Sequence, residues 1–376
     1  MLTLQLLPAR EGDAIWVRWG NPDAPYQMLI DMGTEETGRQ LRERISALPE
    51  AQRAFELIVV THIDRDHIGG LLSCLVDAAP LPGFTAKDFW FNGFAHLDGH
   101  KPGNGLESMG AVQGELLSHW LEEQQWNRFF DGGPVCCEKA LPLPWVDLED
   151  GMRLTILGPT VERLRELKSV WQKDVQAALQ KEQHRSSGQN LESMGASKPL
   201  TLDNLKALQL LAEQRKERDS SPANASSIAL LLEYKGTRLL LAGDAFSMDL
   251  KNSVQLLSPD QPLEVTAFKI PHHGSRRNLC KELIESIHCQ CWLISTDGSR
   301  FQHPDDEAVA RILSYSKQRP AIIGFNVPST INQKWDSDDW RSKFDYCTTY
   351  GSAEDGLTLS FSPSSGLILS CTSPQG

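Results

Sequence analysis

No uninterrupted apolar run in this chain of 376 residues approaches the length of a membrane span, so no transmembrane helix is expected and a membrane is not among its expected partners. The start, Met-Leu-Thr-Leu-Gln-Leu-Leu-Pro-Ala-Arg, lacks a basic region before its apolar part and reads as a first strand rather than a leader. The eight cysteines include an adjacent pair, Cys136-Cys137, and Cys289-x-Cys291, but no repeated Cys-x-x-Cys. That spacing argues against a disulfide framework or a structural zinc site and fits a reduced, cytoplasmic chain. A cationic surplus is also missing: 37 Lys and Arg against 49 Asp and Glu give a net charge of −12. Avid coating of nucleic acid draws on cationic side chains that displace counterions, so the balance favours a small or selected substrate. Finally, there is no Gly-x-Ser-x-Gly elbow, which removes the usual serine-hydrolase signature.

What is present is concentrated. Residues 57–70, Leu-Ile-Val-Val-Thr-His-Ile-Asp-Arg-Asp-His-Ile-Gly-Gly, open as an Ile/Val run expected to be an interior strand and lead into His62, Asp64, Asp66 and His67. Gly69-Gly70 reads as a tight turn before the next apolar segment. The potential ligands then fall on a loop at a strand's carboxyl end, where open α/β architectures keep their chemistry. On an extended loop, positions i, i+2 and i+4 share a side, so His62, Asp64 and Asp66 converge and the turn brings His67 beside Asp66. Two neighbouring pairs suit two ions better than one, and a cysteine-free set of imidazoles and carboxylates is the composition of a catalytic metal site. The competing reading is a solvated surface loop. The buried strand before it and the segments downstream weigh against that.

Three such segments follow. Residues 226–244 read as a hairpin turning at Lys235-Gly236-Thr237, with Asp244 just past an apolar strand. Residues 265–275 give a strand ending in His272 and His273, where Gly274 permits an unusual backbone turn. Residues 292–304 place His303 after another strand and a loop; taken alone, that histidine reads as packing or surface rather than a ligand, and in sequence with the other three segments the two readings balance.

Thr61-His-Ile-Asp-Arg-Asp-His-Ile-Gly-Gly70, Ala242-Gly-Asp-Ala245, Pro271-His-His-Gly-Ser275 and His303-Pro304 resemble, in order, the motifs of the metallo-β-lactamase superfamily. With Asp64 at the second ligand position, the variant is similar to the hydrolase domain of the competence protein ComEC and to phosphorylcholine esterases. Glu11-Gly-Asp-Ala-Ile15 and Leu29-Ile-Asp-Met-Gly33 extend the resemblance, which runs from about residue 2 to 304. It implies an α/β fold, an αββα sandwich of two facing mixed β-sheets with outer helices. It also implies two divalent metal ions, with His62 and Asp64 on one, Asp66 and His67 on the other, and Asp244 between them. One of the adjacent histidines completes the second set. His273 is taken as that ligand, with His272 and His303 facing the substrate, and the reverse assignment stays open. The first ion's third histidine has no clear counterpart; His96, beyond the strand-like residues 88–91, is the nearest candidate. Asp13 and Asp31 are expected to orient loops or ligand imidazoles, or else to serve as caps and turns.

Three carboxylates against three histidines make a harder set than histidine-rich zinc sites, more hospitable to Mn²⁺ while leaving Zn²⁺ open. Such a pair of ions suits phosphodiester hydrolysis by a metal-bound hydroxide. In that scheme Asp66 orients the nucleophile, His272 donates to the developing charge and His303 serves the leaving group. Arg276-Arg277 either hold a phosphate or are solvated residues opening a helix, and Ser275 reads as a loop hydrogen-bonding residue. The function expected is a phosphodiesterase or nuclease acting on nucleic acid or a small phosphodiester. A hydrolase of esters, thioesters or lactams on the same scaffold and an adaptor subunit are the alternatives.

Strands are expected at 2–7, 14–19 and 26–31, a helix from Glu35 to Leu48, and a strand at 153–157 closing the first half. The second half is expected from near Ser226 to about 325, all within a single domain spanning 1–376. Two insertions, about 93–150 and 160–222, offer a lid or a surface for a protein partner, and about 328–376 is expected to cap the scaffold. Leu106-Glu-Ser-Met-Gly-Ala111 recurs as Leu191-Glu-Ser-Met-Gly-Ala196, one copy in each insertion. Two copies are too few for a solenoid signature.

Overall fold

The computed structural model describes residues 1–99, 112–182, 200–214, 217–362 and 366–369; both copies of the six-residue match lie outside the described residues. Period-two burial appears at once, since β1 (Leu2–Leu6) buries Leu2, Leu4 and Leu6 and leaves Thr3 and Gln5 partly exposed. It pairs antiparallel with β2 (Ala14–Asn21), and β2 with β3 (Ala24–Met32). Beyond β3 the ladder turns parallel, to β5 (Leu57–Val59) and β7 (Phe89–Trp90), while β4 (Ala54–Phe55) and β6 (Thr85–Ala86) form a separate short pair. β16 (Leu357–Ser362) and β17 (Gly366–Leu369) extend the opposite edge, giving the order β17-β16-β1-β2-β3-β5-β7.

The second sheet holds β8 (Trp145–Asp147), β9 (Arg153–Gly158), β10 (Ala229–Tyr234), β11 (Thr237–Leu241), β12 (Leu263–Lys269), β13 (Ile287–Ile294), β14 (Ala321–Phe325) and β15 (Tyr346–Tyr350) in reverse sequence order. β8 to β11 are antiparallel, and β11 to β15 are parallel. The β10–β11 hairpin turns on Lys235 and Gly236, at φ 46° and 86°, the mirror-image turn whose twist matches the flanking strands.

Leu4, Val17, Met28 and Leu57 of the first sheet share one core with Leu154, Leu230, Phe268 and Ile323 of the second, so the two sheets are packed face to face. The first sheet's other face, with Trp16, Leu29 and Ile58, is covered by α1 (Glu35–Ala47), α2 (Arg65–Leu71), α3 (Val112–Leu121) and α4 (Val161–Glu182). α5 (Leu205–Ala212) packs on α9 (Asp306–Tyr315), and α6 (Pro222–Ala225) leads into β10. With α7 (Ser247–Leu257), α8 (Lys281–Glu285) and α10 (Asp338–Phe344), α9 flanks the second sheet through Leu250, Ile284, Ile312 and Phe344. The architecture is an αββα sandwich. Among the described residues, no helix is long and apolar enough to cross a membrane.

Three placements differ from the sequence reading. Residues 153–157 do form a strand, but β9 pairs with β10 through Leu154↔Leu232 and Ile156↔Leu230, so it belongs to the second sheet. Its local pattern encodes a buried strand without naming a partner. Segments of the expected cap supply β15 to one sheet and β16 to the other. Gly69 and Gly70 sit inside α2 rather than in a turn. A Cβ on Gly70 would lie 1.8 Å from the Met32 carbonyl oxygen, so glycine here lets helix and strand touch.

Candidate metal centre

Segments from both sheets converge where their parallel strands end. β5 leads to Thr61, His62 and Asp64, β11 to Asp244, and β12 to His272 and His273. The extended path stops at Asp64, the residue before α2, at φ −67° and ψ 141°. Asp66 and His67 are therefore carried inward by the first helical turn rather than by an extended loop. His272, His273 and Gly274 all have positive φ, 47°, 52° and 85°. For the histidines this is a strained conformation, of the kind that persists where surrounding contacts over-determine it.

The geometry centres on one oxygen. Asp244 Oδ2 lies 3.9 Å from Nε2 of His62, 3.5 Å from that of His67, 3.8 Å from that of His272 and 3.7 Å from that of His273. Asp64 Oδ2 is 3.6 Å from His62 Nε2, and Asp66 Oδ2 is 3.6 Å from His273 Nε2 and 4.0 Å from His67 Nε2. These separations exceed a hydrogen bond, yet they suit donors that share an ion at about 2.0–2.2 Å each. The Nε2 atoms of His62, His67 and His273, and Asp244 Oδ1, are buried without a hydrogen-bond partner. Leaving such groups unpaired costs about 1–3 kcal/mol each, so the site fits a cation. His62, His67 and Asp244 form one potential ligand group; Asp66, His67 and His273 form another.

The outer nitrogens explain why the Nε2 lone pairs face inward. Asp31 Oδ2 accepts from His67 Nδ1 at 2.7 Å and from the Thr61 hydroxyl at 2.7 Å. The Thr61 hydroxyl, its hydrogen committed to Asp31, accepts from His62 Nδ1 at 3.0 Å. One carboxylate therefore fixes both imidazoles, an arrangement that also raises ligand basicity. Asp31 itself has φ 54°, beside a register shift in the β2–β3 ladder that turns its side chain toward Thr61. His273 Nδ1 donates to the Ser295 carbonyl at 2.9 Å and lies 3.4 Å from Asp13 Oδ1.

The electrostatics match. Burial opposes charge on His67 and His273, but Asp244 with Asp31 raises His67 well above its ordinary value, and Asp244 with Asp13 raises His273 to about 10. Burial would raise Asp66, yet the adjacent imidazoles bring it down to about 2, and Asp244 is held well below its usual range in the same way. The carboxylates thus draw protons onto the histidines, the position a metal ion would take. Lys269, the last residue of β12, is fully buried in an ion pair with Asp13. Gly12, beside Asp13, has no room for a Cβ, which would lie 1.8 Å from the Asp66 carbonyl oxygen.

Other candidates fall around this centre. The His303 ring lies 5.5 Å from that of His272, its Nδ1 3.6 Å from Asp305 Oδ2, and burial with the charge of His272 pushes it down to about 3. His96 packs edge-on against Trp126 and joins none of the potential ligand groups among the described residues. The Arg276 guanidinium is 3.3 Å from Glu307 and 3.7 Å from Asp305, whereas Arg277 is exposed; α8 begins only at Lys281, so neither opens a helix. Asp219, Asn224 and Asn278, which surround His272 Nδ1, escaped the sequence reading. Asp-Ser-Ser-Pro-Ala-Asn reads as helix-cap chemistry, and Asn278 lies outside any recognisable motif.

No protein-family profile matches the chain, and no curated protein matches it. Among solved structures, the metallo-β-lactamase fold protein YhfI from Bacillus subtilis aligns with 95% of this chain and 98% of its own, at 7% identity and a TM-score of 0.36. At that level the likeness carries no chemistry across.

Proposed function

We propose that this chain is a metal-dependent hydrolase of phosphodiesters, a phosphodiesterase or nuclease that holds two divalent ions, zinc or manganese, between His62, Asp64, Asp66, His67, Asp244 and the His272-His273 pair. The observation that carries the reading is the ring of imidazole Nε2 atoms at 3.5–3.9 Å around Asp244 Oδ2. When bound, such ions polarise a phosphoryl oxygen and make water a nucleophile near neutral pH. Asp66, its side chain 15% exposed, would accept a hydrogen bond from that water and hold it in line. His303, held neutral, donates a hydrogen bond toward the leaving group rather than a full proton. Asp13 and Asp31 hold His273, His67 and, through Thr61, His62 in place. Arg277, exposed four residues past His273, is a candidate phosphate contact, whereas Arg276 is engaged by Glu307 and Asp305.

The test is hydrolysis of single-stranded DNA, RNA, duplex DNA and small phosphodiesters with Mn²⁺, Zn²⁺ or EDTA. Turnover should vanish in EDTA, return with one of the metals, and fall more than about a hundredfold in Asp66→Ala and Asp244→Ala. No metal-dependent turnover of any of these substrates would refute the reading. Faster cleavage of carboxyl esters, thioesters or lactams would move the assignment to that class.

A further inference from the structure

Asp219 stands out in the stretch between α5 and α6: Glu217, Arg218 and Ser220 are exposed, but its carboxylate turns inward, with its side chain 9% exposed. Its Oδ1 accepts from the Ser221 backbone N–H at 2.9 Å. Its Oδ2 accepts from Asn224 Nδ2 at 2.7 Å and from Asn278 Nδ2 at 2.9 Å, and lies 3.4 Å from His272 Nδ1. Asn278, fully buried, turns its Oδ1 to His272 Nδ1 at 2.9 Å and its Nδ2 also to the Asp244 backbone carbonyl at 3.2 Å.

These contacts permit one assignment of hydrogens. An ionised carboxylate only accepts, so the Asn278 amide must point its NH₂ at Asp219, and the Asp244 carbonyl demands the same. The Asn278 oxygen then faces His272 Nδ1, which must carry a hydrogen. Asn224 Nδ2, 3.3 Å from the same nitrogen, already donates to Asp219 at the shorter distance. A neutral His272 is left with a lone pair on Nε2, the atom 3.8 Å from Asp244 Oδ2.

We infer that Asp219 is a positioning residue which, through Asn278, makes His272 a metal ligand, in the place of the histidine that the motif series lacks beside His62 and Asp64. The adjacent histidines then serve different ions, His273 with Asp66 and His67, and His272 with His62 and Asp64. The inference rests on the proposed metal centre and adds that a residue of the 160–222 segment helps build it.

Equilibrium dialysis against Zn²⁺ or Mn²⁺, with metal content measured per chain, tests it without reference to turnover. Wild type should hold two ions. His272→Ala should hold one, and Asp219→Ala should weaken that same ion by roughly ten- to a hundredfold while the other stays tight. Asp219→Asn, which keeps an acceptor toward Asn278, should lose less, and unchanged circular dichroism would show that each variant folds. Two tight ions in His272→Ala would overturn the ligand assignment, and wild-type affinities in Asp219→Ala would overturn the positioning role. A wild-type chain that takes up no divalent ion would overturn both, and with them the proposed function.

Discussion

At the scale of single residues, His273 links the centre to pH. In metal-free protein its proton is held up to about 10, although burial opposes it, because Asp244 and Asp13 lie against the ring. A folded value above the unfolded 6.5 means that the stabilisation is complete below pH 6.5 and lost as pH rises toward 10. The melting temperature of EDTA-treated protein should therefore drop by a few degrees between pH 7 and 10, with a flatter profile in Asp13→Asn. Equal slopes in the two would count against the coupling. The residues around Asp244 were legible because histidines and aspartates cluster just after apolar strands, a placement with little structural motive. Asp219 and Asn278 were not, since Asp219 reaches His272 and Asn278 across 53 and 59 residues, and no local pattern records such a contact.

At the scale of elements, α2 works as a lever that must lie flush against β3. Gly70 donates its N–H to the Gly33 carbonyl at 2.7 Å and has no space for a methyl group against Met32, whereas the nearest atom to a Cβ on Gly69 is Glu35 Cδ at 3.1 Å. Gly70→Ala should destabilise by about 1–3 kcal/mol and weaken metal uptake by tilting Asp66 and His67, while Gly69→Ala should stay near neutral, helped by alanine's helix propensity. Chemical denaturation of both variants checks the contrast. The double glycine was visible in the sequence, but its use was not: turn and close helix contact both call for a missing side chain. Likewise β9 was recognisable as a strand, while its sheet depended on pairing with β10, more than 70 residues onward.

At the scale of the whole molecule, the centre draws His62 and His67 from one sheet and Asp244, His272 and His273 from the other. Bound ions would cross-link the two halves of the sandwich, so metal should raise the melting temperature of wild type. At a thousandfold excess over Kd a single site contributes about 4 kcal/mol, and Asp244→Ala should abolish most of the gain. Calorimetry with and without EDTA reads this directly. The two-sheet plan was what the resemblance of the motif series implied, but the composition of the first sheet was not legible, because β16 returns from more than 350 residues onward to pair with β1 through Leu2↔Phe361. That return has a consequence for biosynthesis. Gln5 hydrogen-bonds Asp355, 350 residues away, so an emerging polypeptide leaves the outer rim of β1 uncovered until β16 has been made. At roughly 5–20 residues per second, the ribosome would expose that sticky ribbon for about 20–70 seconds, long enough for a chaperone to become part of how this molecule is made.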